Sequence, residues 1–251
     1  MTTILRTILF LSINGAFVSR ALSQTDTALQ AKLKNAVSYH NSSLRAQLPI
    51  YNGKVYEPFL HPIKENGHSY FLSDNMVSGS VVFDGVLYDN VRIKYNQVRD
   101  LLILEHYDQV SSQILDEARV ERFSLADHNF INLKRVSSDR ISLPSGYYDV
   151  LYNGKAKLLA KTRKKIVETP KATNIERHIE YTTRYYILKE SEYHQVNSAR
   201  ALLKLLKLNG NESHQYLSSK NLSLKRDQED AMISLMELYD KQSSNLNPIK
   251  K

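Results

Sequence analysis

Between Gly79 and His106 the chain reads GSVVFDGVLYDNVRIKYNQVRDLLILEH, and this stretch leaves few folds open. Ser80 to Phe83 runs into Asp84-Gly85, a pair that accepts the positive φ angles of a tight primed hairpin turn. Val86-Leu87-Tyr88 returns, and Asp89-Asn90 offers a bulge. From Val91 the alternation is regular, with Val91, Ile93 and Tyr95 on one side and Arg92 and Lys94 on the other. Asn96 to Asp100 is polar enough to turn again. Leu101-Leu102-Ile103-Leu104 is apolar at every position, the pattern of a strand covered on both faces. The segment therefore predicts a β-meander at the centre of an antiparallel sheet.

The flanking sequence adds to that sheet. Leu29, Leu33, Ala36 and Val37 fall on one stripe and predict an amphipathic helix within Gln24 to Ala46, started by Asp26 and stopped by Pro49. Ile50 to Tyr56 predicts a strand–turn–strand and His68 to Leu72 a short strand. Gln113 to Glu117 and Arg119 to Leu125 predict one hairpin, and His128 to Val136 the next strand. Tyr147 to Tyr152 and Lys155 to Val167 predict another hairpin about Asn153-Gly154, the strongest turn signal in the chain. Pro170 to Asn174 predicts a loop, and Arg177 to Leu188 and Tyr193 to Val196 complete the sheet.

Composition then changes. A cap at Asn197 or Ser198 opens a helix carrying Leu202, Leu203, Leu205 and Leu206, with Asn209-Gly210 as its stop. Glu212 to Ser219 predicts a short helix. Asp227 caps a last one, with Met232, Leu235, Met236 and Tyr239 on one face. Strands first and helices afterwards predict an α+β fold, mainly antiparallel β-sheet, with an N-terminal helix and a C-terminal helical segment. The organisation expected is a signal peptide over 1–23, the N-terminal helix and β-rich domain over 24–196, helices packed on it over 197–242, and a flexible tail over 243–251.

The start of the chain bears on compartment. Met1 to Arg6 is short and basic, Thr7 to Val18 is largely apolar, and Ala21-Leu22-Ser23 sets small residues at the −3 and −1 positions of a cleavage site before Gln24. That is the layout of a secretory signal peptide, with an apolar part too short for the roughly 20 residues of a membrane anchor. The chain has no cysteine, so an exported domain must hold together by core burial, and the sequons at Asn41, Asn211 and Asn221 carry little weight. Without Arg6 and Arg20 there are 32 Lys and Arg against 26 Asp and Glu, a balance of +6. The excess is local, with ten basic and three acidic residues between 154 and 189. An exported protein points that patch away from nucleic acid and towards an anionic envelope surface or an acidic protein face. Charges on both faces of the strands argue against an integral outer-membrane barrel.

Chemistry is sparse. None of the eight histidines falls in a metal-binding spacing, no G-x-S-x-G frame surrounds a serine, and no glycine-rich phosphate loop is present. No catalytic residue, cofactor or metal is read from the sequence. Sixteen tyrosines and no tryptophan suit cross-strand pairs or a binding face. The candidate site is basic: Lys155, Lys157, Lys161, Arg163 and Lys165 share the parity of a single strand face, a stripe roughly 30 Å long at about 3.3 Å per residue. The same lysines could instead keep an edge strand soluble.

Four stretches, YNGKVYEPF (Tyr51–Phe59), NGHSYFLSD (Asn66–Asp74), GSVVFDGVLYDNVRIKYN (Gly79–Asn96) and YYDVLYNGKAKLLAK (Tyr147–Lys161), followed by a Leu/Lys-rich helical tail, resemble uncharacterised exported β-rich proteins of Bacteroidota. The resemblance implies a compartment and an architecture; that family has no assigned activity to transfer. The function expected is a non-enzymatic binding or structural protein of the periplasm or cell envelope. The alternative is a hydrolase of envelope or polysaccharide material, which a cleft with two carboxylates or a histidine–carboxylate contact would favour.

Overall fold

A computed structural model describes Lys32 and residues 47–61, 63–64, 67–137 and 142–245. The expected signal peptide, the N-terminal helix apart from Lys32, and residues 246–251 lie outside the described residues. The chain divides into two compact units, Met1–Asn52 and Gly53–Lys251. In the first, Pro49–Tyr51 forms a single 3-10 turn, closed by the Tyr51 amide donating to Leu48 O (2.9 Å). The strand expected from Ile50 is therefore a turn there, which the fixed φ of Pro49 starts.

Among the described residues the second unit contains thirteen strands: β1 (Lys54–Val55), β2 (Val77–Phe83), β3 (Val86–Asn96), β4 (Leu101–Glu105), β5 (Ser112–Ile114), β6 (Val120–Leu125), β7 (His128–Leu133), β8 (Val136–Ser137), β9 (Ser142–Leu143), β10 (Gly146–Asn153), β11 (Lys157–Pro170), β12 (Ile175–Lys189) and β13 (Glu192–Val196). Eleven of them make one antiparallel sheet in the order β1-β5-β4-β3-β2-β6-β7-β10-β11-β12-β13, and β8 pairs with β9 alone. The fold is α+β and mainly antiparallel.

The meander is as its residues predict. Asp84 (φ 50°) and Gly85 (φ 76°) both take the left-handed conformation, and Arg119 Nε donates to Asp84 Oδ2 (2.9 Å) to hold the turn. At Asn90 (φ 56°) the register steps from Gly79↔Val91 to Val81↔Tyr88, so Asp89 and Asn90 oppose Ser80 as a bulge. Leu102, Ile103 and Leu104 are fully buried. Ile103 packs with Tyr56 and Tyr70, while Leu102 stands opposite Tyr95, so successive side chains fill two layers. Ile103→Ala is expected to cost about 2–5 kcal/mol through the cavity it leaves, read as a lower urea midpoint at unchanged slope. An unchanged midpoint would make the meander peripheral.

Three local expectations are overturned. Gln113 to Leu125 is not one hairpin: β5 pairs with β4 and β6 with β2. The turn at Asp116, whose carboxylate accepts the Ala118 amide (3.0 Å), carries the chain between them. Asn153-Gly154 is not a two-residue turn either, because Asn153 pairs with Lys157 across three intervening residues. Gly154 is required there by a close approach: a Cβ would collide with the Asp240 carboxylate, which accepts from Tyr152 OH (2.9 Å) and from the Lys155 amide (3.2 Å). Nor does Asn209-Gly210 end a helix. The helix that follows the sheet, α1 (Ala199–Leu205), closes at Leu206 and the left-handed Lys207, and Asn209 Oδ1 caps the next, α2 (Gly210–Ser219).

Ser198 caps α1 as expected, its hydroxyl accepting from the Ala201 amide. The last helix, α3 (Gln228–Asn245), runs past Ser243, where the tail was expected to begin. Asp227 O accepts the Ala231 amide while its carboxylate turns back to the Ser223 amide (2.9 Å). Leu202, Leu206, Leu217, Met232, Leu235 and Met236 share one core with Leu158, Ala160, Tyr185, Ile187 and Val196 of the sheet.

Around β3 to β11 the sheet curls strongly. Tyr95, Phe123, Phe130 and Tyr147 meet with ring centroids 4.6–5.6 Å apart, filling the concave side. β2, β6, β7 and β10 separate β3 from β11 in the sheet, yet the Lys164 amide of β11 donates to Gln97 O in the β3–β4 turn (3.2 Å).

Candidate functional site

β11 and β12 stay in register from Lys157↔Leu188 to Pro170↔Ile175. Their outer neighbours are shorter. β10 pairs with β11 only as far as Ala160, and β13 with β12 only from Tyr185 onward. Beyond those pairs the hairpin continues as a two-stranded ribbon, closed by the Lys171 amide donating to Asn174 O (2.8 Å). Ile166 and Ile179 face each other on one side of the ribbon, and Gly67 lies against the side chains of Ile179 and Ile63. Lys164 Nζ, on that side, donates to His68 O and Tyr70 O, and burial lowers its pKa.

The other side holds the expected stripe, and the structure breaks it. Lys155 lies in the turn before β11, exposed, with its amide on Asp240. Lys157 is half-buried. Leu159, next on the face, is fully buried with Leu143, Tyr148 and Tyr186. Lys161 is only 4 % exposed. Its Nζ donates to Asp100 Oδ2 (2.7 Å) and Tyr147 O (3.2 Å) and stands 4.7 Å from the Tyr148 ring centre. The parity is right, but the strand enters the core midway, so Lys161 belongs to the interior and not to a continuous basic surface. Burial pulls its pKa down and outweighs the attraction of Asp100.

Past that point the face is cationic and open. Arg163 is 60 % exposed, its guanidinium 3.9 Å from Asp100, and Lys165 is exposed opposite Glu180. Arg184, directly opposite Lys161, is exposed and completes the group. No local pattern marks Arg184 as a member, because only the β11–β12 register puts it there. Arg163, Lys165 and Arg184 thus share one face of the ribbon, separated from Lys155 and Lys157 by buried Leu159 and Lys161.

A second polar cluster lies where the aromatic core meets the helix-covered part of the sheet. His128 Nδ1 and Asp149 Oδ2 are 2.5 Å apart, and Phe71 packs edge-on against the imidazole at 4.8 Å. The His128 side chain is 34 % exposed and that of Asp149 11 %. Burial raises the Asp149 carboxyl above the usual carboxylate range, more than His128 lowers it, and the charge of Glu229 adds to the rise. Glu229 Oε2 accepts from Tyr185 OH (3.1 Å), whose pKa burial pushes up to about 12. Among the described residues no group of His, Asp or Glu is arranged to hold a metal ion, and no helix is long and apolar enough to cross a membrane. Comparison with protein-family models, curated proteins and solved structures gives no match.

Proposed function

We propose that the protein is exported to the periplasm or cell envelope and acts there by binding an anionic partner through the projecting β11–β12 ribbon, without catalysing a reaction. The observation that carries this reading is the grouping of Arg163, Lys165 and Arg184, exposed on one face. Guanidinium groups suit phosphate and carboxylate partners because they donate in pairs. The signal-peptide layout before Gln24 supports the compartment.

The test replaces Arg163, Lys165 and Arg184 by Gln and leaves Lys161 alone, since its loss would disturb the core. Wild-type protein, recovered from native envelope with a mass beginning near Gln24, is expected to sediment with envelope fragments at low salt. At physiological ionic strength exposed charges are screened within about 8 Å, so binding should weaken there. The triple variant should lose at least about tenfold in affinity at low salt, or about 1.4 kcal/mol. Equal binding by the variant, or none by the wild type, would sink the reading.

The alternative, an envelope hydrolase, is favoured by one observation, the contact of His128 with buried Asp149. A carboxylate on Nδ1 orients the ring and leaves Nε2 as the base. Release of soluble fragments from envelope material, lost in His128→Gln, would select this reading over the first.

A further inference from the structure

We infer that the open edge of β12 is a self-association surface, at which two copies of the chain pair their ribbons into a four-stranded antiparallel sheet. Among the described residues no strand pairs with Ile175 to Arg184 on the side away from β11, since β13 begins its pairing at Tyr185. A strand edge of this length is a template for another strand, and neither a proline nor a lysine, two common means of blocking one, lies between Ile175 and Arg184. Ile175 and Tyr181, on the ribbon face opposite Arg163, are 48 % and 72 % exposed, more than apolar and aromatic strand residues ordinarily are.

The occupant follows from length and charge. Two antiparallel copies overlap their open edges fully, without meeting β13, when the two-fold axis passes at or beside Ile179. With the axis at Ile179, His178 stands opposite the partner's Glu180 and Arg177 opposite the partner's Tyr181. Ile175 then meets the partner's Thr183, Glu176 meets the partner's Thr182, and Ile179 meets its own copy. No like charges oppose. Moving the axis half a step sets Ile179 against the partner's Glu180, which favours the first register. Directly opposed residues share a face, so the axis is perpendicular to the sheet. The Arg163, Lys165 and Arg184 groups of both copies then lie on one side of the pair. The dimer would give any anionic partner two cationic groups to hold, but its existence does not depend on such a partner.

One strand pair is a small contact, so the association is expected to be reversible. Sedimentation velocity of the full mature chain from about 10 µM to about 1 mM should show a monomer–dimer equilibrium. Tyr181→Lys places a cation opposite the partner's Arg177 and is expected to abolish the dimer; the side chain is exposed, so folding should be unaffected. Arg177 is held across its own ribbon by Glu168 (Nε to Oε1 2.8 Å), so it is reversed together with that partner. Adding Arg177→Glu and Glu168→Arg to Tyr181→Lys sets opposite charges across the axis, keeps the pair within the ribbon, and is expected to restore the dimer. A wild type that stays monomeric over the whole range overturns the inference. So does a Tyr181→Lys variant that dimerises like the wild type, or a combined variant that remains monomeric while folded. Loss of envelope binding by the triple Gln variant with the dimer intact would separate this surface from the proposed function.

Discussion

Raising the pH above about 10 is expected to unfold the protein steeply. Tyr95, Tyr147 and Tyr148 are buried almost completely, and burial holds each hydroxyl well above the ordinary tyrosine range. Tyr95 is held further by donating to Asp100 Oδ1 (2.6 Å), which a phenolate could not do. In the unfolded chain the same groups lose their protons near 10. Below that pH both states are protonated and the contribution of these side chains is complete. Above it the folded state binds more protons than the unfolded one, so stability falls by about 1.4 kcal/mol per pH unit for each group. Three such groups give about 4 kcal/mol per pH unit, against a total of about 5–15 kcal/mol for a domain. Lys94, Lys161 and Lys164 act in the opposite direction, because burial lowers each pKa and the unfolded state holds those protons longer, but only until the unfolded lysines also lose them at about 10.4; above that the tyrosines act alone. Tyrosinate absorbance and circular dichroism should therefore change together after a jump to high pH, the buried tyrosines ionising only as the chain unfolds. Complete tyrosine ionisation near pH 10 with the circular dichroism intact would show that the aromatic interior is open to solvent.

Those tyrosines mark where sequence reasoning reached its limit. Their strands were legible: Tyr95 ends the alternating run from Val91, and Tyr147 to Tyr152 reads as β10. Local rules of alternation and turn chemistry suffice for that, as Asp84-Gly85 and the Ser198 cap also show. That Tyr95 and Tyr147, far apart in the chain, touch on the concave side depends on strand order and curl. Neither is encoded in any short window. The same holds for β5 and β6, which are neighbours in sequence and not in the sheet.

The candidate site was legible to a similar depth. The face shared by Lys161, Arg163 and Lys165 follows from parity alone. Which of them is buried does not, because the element that covers Lys161 is the β3–β4 turn, and Asp100 lies 61 residues away. Arg184 and the His128–Asp149 contact likewise follow from registers, β11 with β12 and β7 with β10. Long-range pairing is what a single sequence leaves out.

Lys161→Ala is expected to cost about 3–5 kcal/mol, the second large effect, because it strips the partner from a largely buried carboxylate. Asp100 is held from three directions: Tyr95 OH on Oδ1, Lys161 Nζ on Oδ2, and Gly146 packed against the carboxyl group. Gly146 has φ 115°, and a Cβ there would collide with Asp100 Oδ2, so the glycine is fixed by both conformation and contact. Lys161 thereby ties the β3–β4 turn to β11 across the open side of the curl, beside the Lys164 amide bond to Gln97. Removing it leaves Asp100 facing the Tyr147 carbonyl and the Tyr148 ring with no cation but Arg163, 3.9 Å away and mostly in solvent. Lys161→Met combined with Asp100→Asn should cost clearly less than the sum of the single changes, since the double variant buries no unpaired charge; asparagine also tolerates the left-handed backbone at this position (φ 56°). Urea midpoints of the four proteins give the coupling directly. Additive losses, or a Lys161→Ala cost below about 1 kcal/mol, would mean that aromatic packing and the Lys164–Gln97 hydrogen bond close the curl without the ion pair.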